Sequence, residues 1–288
     1  MTGFNNIKGM IDAELDGKMR RYAWRKTPTQ ATAVGQWFDM SMSPGNPPPK
    51  YWFDAPPGIA KAISQSQDGG LYHGPNVSPS NKYLRMITTN AYTSATGLPI
   101  CAHLCDYLLY YPSIDDSITD PQILDNSVTL PRYTDGEGVQ VIAVSVAGRT
   151  GGQSFSFSYT NQDGVSGRTS QTVTQNTSAA VGQIVTSATA TATSANPFIG
   201  LQGEDTGVRS IESVTMNGAD VGLFSLILVK PLAQTIVKET TAPYEKDLFI
   251  YSQSLPIIQD DAFLGFLFLP TNTIQSQVYV GDLKVIWN

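Results

Sequence analysis

The stretch LPRYTDGEGVQVIAVSVAGRTGGQSFSFSYTNQDGVSGR, residues 130–168, decides how the rest of the chain is read. From Val139 to Ala147 it is dominated by Val, Ile and Ala. Ile142, Val144 and Val146 fall on one face and Val139, Val141 and Ala143 on the other, so the run predicts a strand covered on both sides. From Ser154 to Thr160, Phe155, Phe157 and Tyr159 alternate with Ser154, Ser156 and Ser158, a strand with one buried and one polar face. Gly148, Gly151 and Gly152 lie between the two runs. Glycine turns freely into positive φ, so the pair is expected to form a hairpin of a β-sandwich.

Working outward, Leu84–Thr88 and Ile100–Tyr110 are β-compatible, and 113–129 is an acidic loop with Asp115, Asp116, Asp120 and Asp125. Gly167–Thr174 alternates, and the Thr/Ala alternation from Thr186 to Thr193 suggests an extended edge. Val208–Met216 and Val221–Val229 flank Asn217-Gly218, read as a favoured two-residue hairpin turn or, with Ala219 and Asp220, a longer loop. GLFSLILV within the second run reads as doubly covered, and Phe263–Leu269 and Gln277–Trp287 close the series. Roughly nine or ten strands at this spacing predict a mainly β chain with a β-sandwich or jelly-roll-like domain over 83–288.

Residues 1–82 read differently. Over 4–26, Phe4, Ile7, Met10, Ile11, Leu15, Met19 and Tyr22 recur at three or four, which predicts an amphipathic helix ended by Thr27-Pro28. Its far end carries Lys18, Arg20, Arg21, Arg25 and Lys26. Residues 27–82 combine many Pro and Gly with Trp37, Phe38, Tyr51, Trp52, Phe53 and Tyr72. Disordered linkers are poor in aromatics. The segment therefore reads as an ordered, extended arm that straps neighbouring subunits, with one helical turn at 60–64. Trp37, Tyr51, Trp52 and Phe53 are its expected contact anchors, and Arg20, Arg21 and Arg25 its basic contacts.

Of 288 residues, 41% are hydrophobic and only 15% charged, where soluble proteins average about 25%. So thin a charge layer implies a surface covered by partners. The net charge of −6 argues against nucleic acid as the main ligand. No run approaches the roughly 20 apolar residues of a membrane helix, and no apolar leader is seen in residues 1–20. Cys101 and Cys105 on one strand would stand about 13 Å apart, beyond disulfide reach, and are expected to be free thiols.

Little catalytic chemistry is legible. Cys101, His103 and Cys105 would share a strand face, but alternate residues sit about 6.6 Å apart, too far for a common metal. A half-buried strand face explains them better. His73 and His103 are the two histidines, and no GxSxG elbow accompanies them. The carboxylate pairs Asp115/Asp116, Asp135/Glu137, Glu204/Asp205 and Asp260/Asp261 read as solvated loops rather than a glycosidase dyad. TDGEG and QGEDTG offer hard oxygen ligands without an EF-hand pattern. GRTGG lacks the Lys-Ser or Lys-Thr of a phosphate loop. No cofactor, metal or catalytic residue is expected.

At DGGLYHGPNVSPSNKYLRMI, at the opening stretch, and through LQGEDTGVRSIESVTMNGADVGLFSLILVKPLA, residues 65–233 resemble structural proteins of tailed-bacteriophage virions. The resemblance implies a non-enzymatic particle component made in the host cytoplasm and located in the virion. The first expectation is a capsid decoration or cement protein that forms a homo-oligomer, a trimer first, on the major capsid protein or another virion protein. A tail, collar or fibre-anchoring component and a jelly-roll major capsid protein are alternatives in the same class. A carbohydrate-binding or glycan-cleaving tail-spike module is the alternative from another class.

Overall fold

The computed structural model describes residues 4, 6–177, 180–185, 196–251 and 255–288. The Thr/Ala alternation expected as an edge lies outside them. The chain opens with helix α1 (Ile7–Leu15) and strand β1 (Met19–Lys26). Short pieces follow: β2 (Phe38–Asp39), a 3-10 turn (Met40–Met42), β3 (Gly45–Asn46), β4 (Lys61–Ala62) and α2 (Gln65–Asp68). Next come β5 (Lys82–Ala91), β6 (Ile100–Asp115), β7 (Gln122–Ile123), β8 (Gln140–Ser145), β9 (Ser154–Asn161), β10 (Arg168–Thr169) and β11 (Val173–Thr174). The last part holds β12 (Val208–Met216), β13 (Leu223–Val237), β14 (Tyr244–Asp247), α3 (Leu248–Tyr251), β15 (Ile257–Ile258), β16 (Phe263–Leu269) and β17 (Tyr279–Trp287).

The protein is mainly β, a β-sandwich in which the described residues form three antiparallel sheets. The first sheet runs β14-β5-β17-β1-β3, the middle one β2-β16-β6-β13-β8, and the third β10-β9-β12-β7. The spine is the pair β6 and β13, in register from Leu223↔Asp115 to Val237↔Ile100 with bulges between. One face of the middle sheet packs on both others. Ala102, Leu104, Phe266 and Phe268 meet Trp24, Leu84, Ile87 and Leu283 of the first sheet. Leu109, Tyr111, Val141, Ala143, Phe224 and Leu226 meet Phe155, Phe157, Tyr159, Ile211 and Val214 of the third. The opposite face of the middle sheet carries Cys105, Tyr107, Ile142, Val144, Ile227 and Val229, under Trp37, Met42, Trp52, Ile63 and Ile184.

Double coverage of β8 and β13 therefore holds, since alternate residues enter different cores. The two expected hairpins do not form. β8 and β9 belong to different sheets, as do β12 and β13. Each connection climbs from one layer to the next, a rise of about 10 Å that a two-residue turn cannot span. The aromatic face of β9 explains why: Phe155 lies 4.8 Å from Phe224 of β13, ring to ring, so it finds its apolar partner across the core.

The N-terminal helix is shorter than its periodicity implies. α1 stops at Leu15, where Lys18 N–H bonds to Ala13 O at 2.8 Å and Gly17 takes φ +72°. A Gly at positive φ is a usual helix stop. Residues 19–26 are instead strand β1, paired antiparallel with β17 from Met19↔Ile286 to Lys26↔Tyr279. Tyr22, Trp24 and Lys26 turn inward at a period of two, whereas Met19 and Tyr22 fit one of 3.6, and a partner some 260 residues away along the chain decided between them.

The proline- and aromatic-rich segment lies against the chain's own sheets. β2 pairs with β16, β4 pairs with β6, and Trp37 and Trp52 are 4% and 0% exposed. Residues 36–63, with Ile184, cover the middle sheet's second face. The expected helical turn at 60–64 is extended backbone in β4, and the short helix follows at α2, capped by Ser64.

Candidate interface

Of the four expected aromatic anchors, the structure separates two that are core from two that are surface. Trp52 is the pivot. Its Nε1 donates to Asp39 Oδ2 at 2.5 Å, and its ring stacks on Tyr107 at 5.4 Å and 12°. Ser225 Oγ donates to Trp52 O at 2.6 Å, tying the loop to β13. Both neighbours in this turn face outward: Tyr51 is 43% and Phe53 46% exposed, their ring centroids 5.4 Å apart.

Charged groups hold this loop from behind. Lys26, 3% exposed, donates to Ser43 O at 3.0 Å and to Ser41 O and Pro48 O at 3.4 Å. Burial pulls its pKa down to about 8, against the opposing pull of Asp39. Asp39 accepts from Tyr107 Oη and Ser41 N, both at 2.8 Å, and from Trp52, yet burial raises its pKa above the usual carboxylate value. Lys50 bridges Asp54 at 2.5 Å and Asp68 at 2.9 Å, while Lys61 stands 3.6 Å from Asp54. Burial would lower Lys50, but hydrogen bonds to the two aspartates outweigh it and raise its pKa. Burial likewise pushes Asp54 up, but Lys50, Tyr110 and Lys61 hold it below its usual value. Two lysines meet two aspartates, so the loop is internally neutralised and its outer surface is aromatic.

The same end of the body exposes further apolar side chains. Gly58 N–H bonds Pro112 O at 2.9 Å, and Asp125 N–H bonds Gly58 O at 2.9 Å, which brings Ile59 beside β7. Ile59 is 39% and Ile123 75% exposed. Ile123 points out because its neighbour Leu124, 6% exposed, points in. Ile123 and Leu124 are adjacent apolar residues in PQILD, so the sequence alone does not say which of them faces out.

The basic residues do not join this surface as a group. Arg25 pairs with Asn46 at the start of the loop, but Arg20 lies at the far end of β1, about 17 Å along the strand. Arg20 donates to Gly17 O and Met19 O and lies 5.7 Å from the Trp287 ring. Arg21 lies opposite Lys284 on the outward face of the first sheet. Trp37 is buried, its ring 5.0 Å from His103.

The remaining sequence candidates are held structurally. Burial raises the Cys105 thiol well above its ordinary pKa, and both cysteines are free. Asp205 of QGEDTG accepts from Arg168 at 2.8 Å, Tyr159 at 2.6 Å and Asn161 at 2.8 Å, and the Arg168 bond leads in holding its pKa down to about 2. Asp116 of the acidic loop is buried rather than solvated, taking a hydrogen bond from Gln175 at 2.9 Å with Arg149 3.6 Å away. Among the described residues, no three His, Cys, Asp or Glu side chains converge as metal ligands would. No helix among them is long and apolar enough to cross a membrane.

No protein-family model matches the chain, and no curated protein matches it. Two solved structures share a weak likeness. One is a mutant VP2 protein of infectious bursal disease virus in derived T=1 particles, 12% identical over 94% of this chain and 78% of that one, with a TM-score of 0.18. The other is infectious bursal disease virus, Gt strain, 11% identical over 93% and 80%, with a TM-score of 0.20. Likeness at that level carries no argument about this chain.

Proposed function

We propose that this chain is a non-enzymatic structural protein of a tailed-phage virion, a decoration or cement subunit that docks on the shell. The observation that carries the reading is the Tyr51/Phe53 pair, held outward on a loop pinned by the buried Trp52. A preordered aromatic pair loses little entropy on binding and is a typical hot spot. The low charge of the chain and the phage-like stretches between residues 65 and 233 point the same way.

The test is co-sedimentation with purified phage heads. Tyr51→Ser with Phe53→Ser should weaken binding by about 30-fold or more, the effect of one hot spot of about 2 kcal/mol. Thermal stability should be unchanged. Binding that survives the double substitution removes the reading. A second reading, glycan stacking on the same exposed rings, predicts signal on a glycan array that the double substitution abolishes.

A further inference from the structure

On the other side of the layered body lies a second apolar surface. α1 crosses the outer face of the first sheet and buries Met10 and Ala13 against Tyr83 and Ile286. Its opposite side carries Ile7, Ile11 and Leu15, exposed by 55%, 54% and 80%. Residues four apart line up on a helix, so these three form one ridge. A helix on a solvated surface normally shows a polar outer face.

The ridge is not isolated. Glu14 pairs with Lys284 at 3.0 Å and Arg85 at 3.9 Å, and Arg85 also pairs with Asp247 and lies 5.7 Å from the Phe249 ring. Beyond that seam, α3 exposes Phe249, Ile250 and Tyr251 by 38%, 71% and 66%. The seam is already neutralised, so covering it leaves no charge unpaired.

The charge pattern selects the occupant. Between residues 7 and 16 one lysine, Lys8, stands against Asp12, Glu14 and Asp16, which disfavours an anionic lipid surface. Lys8 and Asp12 lie along the outer flank of the ridge, 81% and 48% exposed and 2.6 Å apart. When two such helices cross antiparallel about Ile11, Ile7 of each meets Leu15 of the other. Lys8 of each then comes beside Asp12 of the other. The surface is complementary to itself in shape and in charge.

We propose that two copies of this chain pair through α1, ridge on ridge about a twofold axis, with α3 at the margin. The pairing face is opposite the Tyr51/Phe53 loop, so a dimer would keep both loops free for a shell; only that last clause rests on the virion reading.

Sedimentation equilibrium on the full chain tests the pairing. The wild type should run at twice the 31.1 kDa chain mass at about 100 micromolar. Ile11→Glu should raise the dissociation constant at least about tenfold, with an unchanged thermal melt. Lys8→Glu and Asp12→Lys should each weaken self-association, and an equimolar mixture should restore it, because each copy then supplies the other's missing charge. That restoration does not depend on the Ile11 variant folding. A monomeric or trimeric wild type, indifference to Ile11→Glu, or no recovery in the mixture overturns the proposal. A dimer that fails to bind heads would refute the virion reading and leave the pairing intact.

Discussion

His73 should make this protein acid-labile through a single buried imidazole. The ring is 0% exposed, with Nε2 2.8 Å from Ala262 O and Nδ1 3.0 Å from Lys82 Nζ. Nε2–H donates to the carbonyl, and Nδ1 accepts from the ammonium. Protonating Nδ1 would set two cations side by side in the interior. Burial first, then the Lys82 charge, lowers the His73 pKa from 6.5 to about 4. The folded value lies below the unfolded one, so the unfolded chain binds the proton more readily. The stabilisation is present above pH 6.5 and is lost as pH falls towards 4. A gap of about 2.5 pH units corresponds to about 3 kcal/mol. Asp106 works in the opposite sense: burial raises it to about 6 despite Arg132, so its contribution falls as pH rises from about 4 to 6. The wild-type profile is a sum, and a difference isolates the histidine. Urea unfolding of wild type and His73→Gln should be run from pH 7.5 to 4.5. The advantage of the wild type should shrink by about 2–3 kcal/mol across that range. A constant difference between the two proteins, or an imidazole titrating near 6.5 by NMR in the folded state, refutes the reasoning.

Trp52→Ala should destabilise by about 3–5 kcal/mol in urea melts, while Tyr51→Ser or Phe53→Ser should stay within about 0.5 kcal/mol. Arg132→Met removes the fork that meets Asp106 at 2.9 and 2.7 Å and should destabilise by about 3–5 kcal/mol at pH 8. The loss should be smaller at pH 5, where Asp106 can take a proton; an equal loss at both pH values counts against the ion pair. Gly281→Ala would place a Cβ 2.0 Å from Thr88 O and should lower stability by more than about 2 kcal/mol in a thermal melt. Gly17→Ala meets no atom within 4 Å and pays only for its φ of +72°, about 1–2 kcal/mol, so equal losses at the two glycines would show that the contact is relieved elsewhere.

Much of the interior was legible in the sequence. The unbroken apolar run at β8 specified two covered faces, and the Phe/Ser alternation of β9 specified one. The sequence marks the cluster of aromatics at 51–53, but not which of them face out. Trp52 points inward because Asp39 and Tyr107 wait for its N–H and ring, and those partners lie 13 and 55 positions away. The exposed ridge of α1 was written as part of a stripe. Only the docking of Met10 and Ala13 on Tyr83 and Ile286 showed which side of the stripe was left over.

Strand periodicity is a local property, so the sequence by itself determined which side chains share a face and how many faces need covering. Which layer supplies the cover is a matter of closure between distant segments. β8 and β9 could have paired edge to edge or packed face to face, and β1 could have remained helix. The choices were made by partners that chain proximity does not reveal: Phe224 for Phe155, β17 for β1, and the proline-rich segment for the second face of the middle sheet. Burying each apolar face at least distance from another is a condition on the whole chain, and only the tertiary structure satisfies it.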